Sequence, residues 1–571
     1  MFDQICDYLP NPGVVIYFFI ILPVTLCLTP GKISEANLHF EFNAFRLQQY
    51  DLQAVPLGSR QHQINFEATA QLKGRSVLRR CVVVPWRHLA QSSLDSLEFD
   101  RATGAVLILV PQNFSALAQA DQQQFSDFES RLIDGMFEFP VYFARSNEQL
   151  MEMQRSLQSS SNALKGSAAG AIIDAVFANA YQIVSQIPSP LPKVTEPLFN
   201  IIGKLSSFER STKTSTLAIV AYYDSFGGSP ALSYGADSNA SGVAALLELL
   251  RIFSRLYASS KTRPNNVDLI FALTSGGGLN YQGSRHWIDK LWDEADGSTP
   301  SLTSVICLDA IAGGRGLHMH VSKAPNEGSI MHRLHAKLDA AARRRYNRSR
   351  SETEGVPIVS KKINLGDRWL AWEHERFSIR RLPAFTLSHL PKDAHKSTIR
   401  RSMLDTSDRI DASAFMDNVN VIADGLIRFV FGLPDDVNEP MLDSTFGSEY
   451  VRSDLLIGWL HMLTRQSRSA QSLAAHGLKH PIIVDLVNAI ESHAQHVDTM
   501  AVQLDKREPE FTLYPIYEAN MASYRVKPAV FDLLLAGIIA VYLAGVYAAV
   551  LNIDTAIGYV QTRAKRSTKV Q

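Results

Sequence analysis

Cysteine is scarce in this chain. Only four occur among 571 residues, and two of them, Cys6 and Cys27, lie in or beside an apolar N-terminal stretch. So low a number excludes a disulfide-rich scaffold. For the other two, Cys81 and Cys307, we expect buried free thiols, and a single bridge between them is the alternative.

An excess of either charge is also missing. The 56 Lys and Arg residues balance the 56 Asp and Glu residues. A chain without a net field has no general attraction for nucleic acid or for acidic partners, so we expect no nucleic-acid binding. No repeat with a period of roughly 20–50 residues is visible. The 46% hydrophobic and 20% charged residues are typical of a globular protein.

Two apolar stretches indicate a membrane protein. Residues 14–28 have the length of a signal-peptide core or a short signal anchor, so we assign 1–35 to such a segment, with a buried core helix as the alternative. Residues 528–551 are apolar except for Asp532. A helix there would measure roughly 36 Å and cross a bilayer, with Asp532 as a polar contact for a partner.

The basic tail 552–571 predicts the orientation. By the positive-inside rule the tail is cytosolic, which places the body of the chain on the luminal or extracellular side as in a type I protein. Three Asn-X-Ser triplets are compatible with that side and are candidate glycosylation sites. They lie at Asn113, Asn239 and Asn347.

The body divides into three regions. Residues 38–205 read as a mixed α/β lobe. In 206–433 strands and helices alternate, which predicts a mostly parallel sheet covered by helices on both faces. Residues 434–525 read as a helical region and stalk before the membrane.

Polar residues of an open α/β sheet collect at the carboxyl ends of its strands. Here these ends read YYD (222–224), GADSNASG (235–242) and TSGGGLNYQGS (274–284), followed by Asp309 and by LDTSDRID (404–411). This order resembles the zinc aminopeptidase superfamily, which includes nicastrin. The resemblance implies a three-layer α/β sandwich and, at these positions, a site for paired zinc ions.

The chain departs from the superfamily pattern at most ligand positions. The residues that replace ligands or the general base are Tyr222 for the first His, Ser238 for the bridging Asp, Ser275 and Gly276 for the Glu pair, and Arg401 for the distal His. Asp309 stands at a ligand position, and Asp224 and Asp237 match acids that support the ligands. Paired zinc needs carboxylates, imidazoles and a base, so we predict no metal, no cofactor and no catalytic residue.

Four further stretches resemble the nicalin family. They are FRLQQYDLQ (45–53), LAWEHERFSIRRLPAFTLSH (370–389), DKREPEF (505–511) and YRVKPAVFDLLLAG (524–537). The resemblance implies an endoplasmic-reticulum membrane protein with a nicastrin-like luminal domain and no peptidase role. It also implies a complex with Nodal modulator and a small multi-spanning membrane subunit. That complex attaches to the Sec61 translocon during multipass membrane protein biogenesis, and effects on Nodal signalling and receptor assembly are ascribed to the family.

Two other functions stay open. One is a residual metallo-aminopeptidase with an unusual metal site. The other is a luminal receptor that grips peptide termini in the degenerate cleft without cutting them.

Overall fold

The computed structural model describes most of the body of the chain. The described residues are 39–70, 79–91, 104–163, 180–185, 193–194, 196–208, 214–258, 263–264, 266–295, 302–347, 355–391, 398–435, 450–502, 509–516, 518–526 and 529–551. The predicted N-terminal segment 1–35 and the basic tail 552–571 lie outside them.

The strands are short, as apolar runs bounded by Gly, Pro and Asn predict. They are β1 (His39–Arg46), β2 (Gln49–Leu52), β3 (Val55–Ser59), β4 (Asn65–Thr69), β5 (Cys81–Pro85), β6 (Ala105–Val110), β7 (Met136–Phe137), β8 (Val141–Arg145), β9 (Ala180–Ser185), β10 (Leu198–Leu205), β11 (Ser215–Tyr222), β12 (Val267–Thr274), β13 (Leu302–Leu308), β14 (His318–Val321), β15 (Ile358–Ser360), β16 (Ala384–Ser388), β17 (His496–Val502), β18 (Phe511–Leu513) and β19 (Glu518–Val526).

The helices follow the apolar periodicity of the sequence. They are α1 (Trp86–Gln91), α2 (Gln119–Asp134), α3 (Glu148–Ala163), α4 (Ser241–Ala258), α5 (Gln282–Glu294), α6 (Ile330–Asn347), α7 (His374–Ile379), α8 (Ala412–Val430), α9 (Ser453–Thr464), α10 (Ala470–His476), α11 (Pro481–Glu491) and α12 (Ala529–Leu551).

An eight-stranded sheet forms the centre of the second region, in the order β15-β14-β16-β13-β11-β12-β10-β17. Its central strands β16, β13, β11 and β12 run parallel, whereas β14 pairs antiparallel with β16, and β10 pairs antiparallel with β12 and β17. The sheet is therefore mixed, and the prediction of a mostly parallel sheet holds only for its centre. The reason is that buried strands read as apolar runs in either direction, so the hydrophobic pattern does not report strand polarity.

Both faces of this sheet are covered. Along β11, Leu217 and Ile219 face one apolar core, which also contains side chains of α4, α6, α8 and α9. The alternate residues Ala218 and Val220 face the opposite core with Trp287 of α5. This period of two, with both sets buried, predicts and explains a three-layer α/β sandwich.

Helix α4 packs very close to the edge of the sheet where the site lies. A Cβ atom at Gly242 would come within 2.4 Å of the Leu308 carbonyl oxygen at the end of β13. Only glycine fits at that distance. The glycine of the GADSNASG sequence therefore brings the start of α4 against the strand that precedes Asp309.

The first lobe is built on a closed seven-stranded sheet, in the order β1-β19-β9-β4-β5-β6-β8, with β8 pairing back to β1. One side of it packs on α2 through Phe125, Phe128 and Leu132. The same apolar cluster includes Met403 and Leu404. The first lobe therefore supports the segment that contains the distal part of the predicted site.

The predicted region boundaries differ from the strand pairing. Strand β10 precedes residue 206 but belongs to the eight-stranded sheet, and the region predicted as helical, 434–525, supplies strands to three sheets. Among these, β17 pairs with β10, β18 with β2 and β19 with β1 and β9. Their partners lie far away in sequence, so local periodicity gave no sign of them.

The two described cysteines, Cys81 and Cys307, are buried and free, as expected. Helix α12 exposes apolar side chains, among them Leu533, Val541 and Leu543. None of the helices in the described part of the chain meets both the length and the apolarity needed to cross a membrane.

Candidate functional site

Parallel strands bring the predicted residues to one edge of the eight-stranded sheet. Strand β11 ends at Tyr222, β12 at Thr274, β13 at Leu308 and β16 at Ser388. The loop segment 398–411 packs on this edge and supplies polar side chains to it. The order of the motifs along the sequence therefore predicted their meeting place correctly.

Tyr222 and the glycine turn stand where the superfamily pattern has a histidine and a pair of glutamates. Here the tyrosine ring packs directly against the turn. The buried Tyr222 ring meets Tyr281 edge-on, with 5.6 Å between ring centroids. A Cβ at Gly277 would lie 2.1 Å from Cδ2 of Tyr222, so no side chain fits at 277 beside this phenol. Burial raises the pKa of Tyr222 well above its usual value, which keeps the phenol neutral.

Ser275 and Gly276 serve the turn that follows β12. The Ser275 N–H donates to Oδ1 of the buried Asn200 at 3.0 Å, and the Ser275 hydroxyl donates to the same oxygen at 3.2 Å. Gly276 has φ +67°, a left-handed conformation, and its carbonyl accepts from the Leu279 N–H at 3.1 Å. Neither residue offers a metal ligand.

Ser238 contacts a carboxylate from another segment. Its hydroxyl donates to Oδ2 of Asp405 at 2.5 Å, and the backbone N–H groups of Asp237 and Ser238 donate to the same carboxylate at 2.8 and 2.9 Å. Burial raises the pKa of Asp405, and these hydrogen bonds oppose that shift. Asp405 therefore caps the first turn of the GADSNASG sequence.

Asp224 and Asp237 both accept hydrogen bonds from loop backbone N–H groups. Asp237 accepts from the backbone N–H groups of Ala312 and Gly313 at 2.7 and 2.8 Å, and its other oxygen lies 2.7 Å from Nε2 of His389. Asp224 accepts from the Gly277 N–H at 2.8 Å. Burial raises the pKa of Asp224 to about 6, against the effect of that hydrogen bond.

Asp309, the one retained ligand position, is paired with an arginine. Nε and Nη2 of Arg400 contact the two carboxylate oxygens of Asp309, which is 1% exposed. Burial raises the pKa of Asp309 to about 6, and the neighbouring guanidinium opposes this shift. Arg400 also donates to the Ala371 carbonyl at 2.7 Å and lies 4.0 Å from the centroid of the Trp372 ring.

The position of Arg401 differs from the prediction. Its guanidinium carbon lies 4.4 Å from the Phe226 ring centroid and 3.6 Å from that of Trp369. The side chains that contact Asp309 and Ser238 are instead Arg400 and Asp405. Residues Thr398–Arg401 form a 3₁₀-helix, where successive side chains point about 120° apart, so neighbouring arginines separate into different surroundings.

Sequence reasoning missed three buried charged residues around the site. Glu373 accepts from the hydroxyls of Thr274 (2.6 Å) and Ser284, and burial raises its pKa to about 7. Glu129 holds the backbone before Asp405, and Arg468 donates to the Gly235 carbonyl at 3.0 Å. Glu373 lies in LAWEHERF (370–377), part of a stretch that resembles the nicalin family. No spacing rule, however, indicated a role for any of the three residues.

Two cavities lie on either side of Arg400. The larger one, called the cleft here, has a volume of about 240 Å³. Its walls include Tyr222, Phe226, Tyr281, Trp369, Arg400 and Arg401. The other, called the small pocket, has a volume of about 70 Å³. It is lined by Asp237, Ser238, His389, Arg400 and Asp405, among others.

A bigger groove, of about 880 Å³, lies away from these strand ends. Its arginines are paired, since Arg285 and Arg376 both contact Glu510 and Arg380 contacts Asp289. We therefore place the candidate site at the cleft and the small pocket.

The side chains at the strand ends do not fit paired zinc ions. Asp309 is bonded to Arg400, Asp405 is bonded to backbone N–H groups, and a neutral phenol stands at Tyr222. No group of three or more His, Cys, Asp or Glu residues within the described ranges is arranged to hold a metal. A guanidinium beside the retained ligand also repels a cation.

The candidate glycosylation sites differ in exposure. Asn113 is exposed and caps a short 3₁₀-helix through Ser115. Asn239 is 1% exposed, and its amide bonds the Asp224 carbonyl and Arg468. The structure therefore contradicts Asn239 as a glycan acceptor. Asn347 is the last residue of α6.

The fold and the strand-end motifs define an aminopeptidase-like α/β domain. Residues 200–417 match the model of "Peptidase family M28". The crystal structure of nicastrin, a γ-secretase component, aligns with a TM-score of 0.55 at 12% identity, over 85% of this chain and all of that one. This likeness concerns the fold alone.

Relatives of nearly equal length identify the family. The chain is 36% identical over 543 residues to the "BOS complex subunit NCLN" of Canis lupus familiaris, covering 94% of this chain and 93% of that protein. It is 36% identical over 581 residues to the zebrafish (Danio rerio) protein, covering 98% of each, and 32% identical over 568 residues to the "Nicalin" of Caenorhabditis elegans, covering 96% of each. The chain belongs to the nicalin family.

Proposed function

We propose that this chain is a non-catalytic subunit of an endoplasmic-reticulum membrane complex. In this proposal the complex associates with the Sec61 translocon and supports the biogenesis and assembly of multipass membrane proteins. The partners are Nodal modulator and a small multi-spanning membrane subunit, and effects on Nodal signalling and receptor assembly follow from that work. Support comes from the relatives named as BOS complex subunits over almost the whole chain.

The pairing of Arg400 with Asp309 carries the non-catalytic part of the proposal. A metallo-aminopeptidase needs this carboxylate free for a cation, together with an activated water and a general base. Here both oxygens of Asp309 contact the guanidinium. The domain then acts through its surfaces rather than by turnover.

The membrane part of the proposal concerns residues 528–551. Helix α12 begins three positions after the last residue of β19, and Leu533, Ile538, Val541 and Leu543 on it are exposed. Exposed apolar side chains in such numbers favour a lipid or protein contact over water. Asp532 is exposed near the start of the helix and suits a polar contact with a partner. The orientation would be type I, with the exposed Asn113 on the luminal side.

Recovery of partners from cells tests the assembly role. The full chain, at native expression and in a mild detergent, should bring down membrane proteins in stoichiometric amounts, including the two named subunits. Asp532→Leu should weaken that recovery, whereas the apolar exchange Leu543→Ile on the same helix should not. Recovery of the chain alone would contradict the proposal.

Metal analysis tests the non-catalytic part. The same preparation should contain well under one zinc per chain and should not hydrolyse aminoacyl or peptide substrates. Near-unit or higher zinc content together with hydrolysis that a chelator abolishes would favour the residual aminopeptidase instead.

A further inference from the structure

Arg401 presents an unused hydrogen-bonding edge. Its Nε and Nη2 atoms are shielded from water and have no hydrogen-bond partner in the part of the chain that the structure describes. Burial lowers the pKa of this guanidinium. A buried donor without an acceptor costs about 1–3 kcal/mol, and more when it is charged. The unpaired edge of Arg401 therefore destabilises the folded chain.

The same edge holds a carboxylate in two other arginines of this protein. In Arg400, Nε and Nη2 contact the two oxygens of Asp309, and in Arg251 the same two atoms contact the two oxygens of Glu248, at 2.8 and 2.6 Å. A guanidinium edge and a carboxylate match in spacing and in charge. Arg401 therefore has the geometry of a carboxylate site whose carboxylate is not part of the described chain.

The acids around the cleft are already engaged. Asp309 pairs with Arg400. Asp134 lies 3.5 Å from Arg368 and accepts a hydrogen bond from the Trp369 ring N–H at 3.3 Å. Asp367 accepts from the Asn364 side chain at 2.7 Å. Lys361 also lines the cleft and adds a third cation to Arg400 and Arg401. The cleft thus combines positive charge with aromatic walls.

The size of the cleft limits its ligand. Its 240 Å³ lie just below the roughly 300–1,000 Å³ of pockets for drug-sized molecules. The end of a peptide chain fits such a space, with a terminal side chain against the rings of Tyr222, Phe226 and Trp369. The Arg401 guanidinium lies over the rings of Phe226 and Trp369, so these contacts use its face and leave its hydrogen-bonding edge for a ligand.

We propose that the cleft binds the free C-terminal carboxylate of a peptide, through Nε and Nη2 of Arg401, with an apolar last side chain against the aromatic walls. The proposal goes beyond the assembly role and does not depend on it. If it fails, recovery of membrane partners is unaffected, and if partner recovery fails, carboxylate binding can still be measured.

Calorimetry on the full chain in mild detergent tests the proposal. The probe is N-acetyl-diglycyl-phenylalanine with a free carboxylate, compared with its C-terminal amide. Because a hydrogen bond to a charged group contributes more than a neutral one, we expect the amide to bind at least about tenfold more weakly. A third peptide, amidated but with an aspartate side chain, distinguishes a chain end from an acidic side chain, and binding equal to that of the free acid would overturn the assignment to a C-terminus.

Substitutions connect the effect to Arg401. Arg401→Met keeps the contact with the rings and should remove the preference for acid over amide, while Arg401→Lys keeps the charge without the two-nitrogen edge and should retain only part of it. Arg380→Met, at an exposed arginine paired with Asp289, is the matched control and should bind as the unchanged chain does. Equal binding of acid and amide by the unchanged chain, or an unchanged preference in Arg401→Met, would falsify the proposal.

Thermal unfolding without ligand distinguishes a loss of binding from a loss of folding in Arg401→Met. Removing an unpartnered buried cation should leave the unfolding midpoint of Arg401→Met equal to or above that of the unchanged chain. A clear fall in this midpoint would mean that the guanidinium has partners within the chain, and it would overturn the proposal.

Discussion

The small pocket and the cleft share Arg400 as a wall, but their charges are satisfied in different ways. In the small pocket Asp405 accepts from two backbone N–H groups and a hydroxyl, and Asp237 accepts from two backbone N–H groups. In the cleft Arg401 has two nitrogens without an acceptor among the described residues. The carboxylates of the small pocket are thus satisfied by hydrogen bonds within the chain, whereas the cleft contains a guanidinium with unpaired donors.

The difference suggests how a metal site can become a different kind of site. On the side of the small pocket, the residues at positions that the superfamily pattern gives to ligands have internal partners: Ser238 bonds Asp405, and Asp309 bonds Arg400. These pairings stabilise the fold without a cation. On the side of the cleft, Arg401 contributes a positive charge with two nitrogens that have no acceptor among the described residues, which is suited to an anion.

Breaking the Arg400–Asp309 pair should have the largest effect on this comparison. Arg400→Met leaves the buried Asp309 without its counter-charge, and we expect a loss of about 3–5 kcal/mol in the free energy of unfolding. Chemical denaturation of the full chain in detergent measures it. Adding Asp309→Asn to Arg400→Met should recover most of the loss because no charge is then left unpaired.

A matched control is Arg380→Met, which removes an exposed ion pair with Asp289 and should cost less than about 1 kcal/mol. If Arg400→Met costs no more than this control, the pair does not neutralise a buried carboxylate, and the contrast between the two cavities disappears.

Glu129 should have the next largest effect, because it ties the first lobe to the segment that carries Arg400 and Asp405. Its carboxylate accepts from the Gly228 N–H at 2.6 Å and the Met403 N–H at 2.9 Å, and it bonds the Ser402 hydroxyl. Glu129→Ala leaves these buried donors unpaired, and we expect a loss of about 2–4 kcal/mol.

The exposed Asp127 on the same helix α2 supplies the control. Asp127→Ala should change the free energy of unfolding by less than about 0.5 kcal/mol. Limited proteolysis near residue 400 should also become faster in Glu129→Ala only. An equal rate in both variants would mean that Glu129 does not anchor this segment.

Much of the fold could be predicted from the sequence. The alternation of strands and helices predicted for 206–433 is observed, for example in strand β11 (Ser215–Tyr222) and helix α4 (Ser241–Ala258). Both are long apolar elements in which local pattern and burial agree. The strands within 496–526 were missed because their pairing partners, such as β10 and β1, are about 300 or more residues away in the chain.

For the site, the motifs predicted the location but not the partners. The GADSNASG sequence and Asp309 pointed to the correct edge of the sheet. Asp405, Arg400 and Glu129 could not be assigned because a hydrogen bond such as that between Ser402 and Glu129 joins residues 273 positions apart. Which of two adjacent arginines meets Asp309 depends on the local 3₁₀ turn, and composition carries no information about that.

The smallest effect we expect concerns Glu373, which lies beneath the cleft between Thr274 and Ser284. Burial, helped by the charges of Asp309 and Asp224, raises its pKa from the usual 4.5 to about 7 against the effect of the hydrogen bonds from Ser284 and Thr274. A raised pKa in the folded chain means that the unfolded chain ionises first, so this group's contribution to stability is complete below about pH 4.5 and is lost as the pH rises to about 7. At about 1.4 kcal/mol for each pKa unit, the loss should be at most about 3 kcal/mol.

Glu373→Gln should remove this part of the pH dependence, because an amide does not titrate and can still accept from one hydroxyl. Denaturation at several pH values between about 4.5 and 7.5 should then give a flatter curve for the variant than for the unchanged chain. Glu148, exposed at the start of α3, is the control, and Glu148→Gln should leave the slope in place. A slope that is unchanged in Glu373→Gln would mean that the titration belongs to the other buried carboxylates with raised pKa values, Glu129 at about 7 or Asp224 and Asp309 at about 6, and not to Glu373.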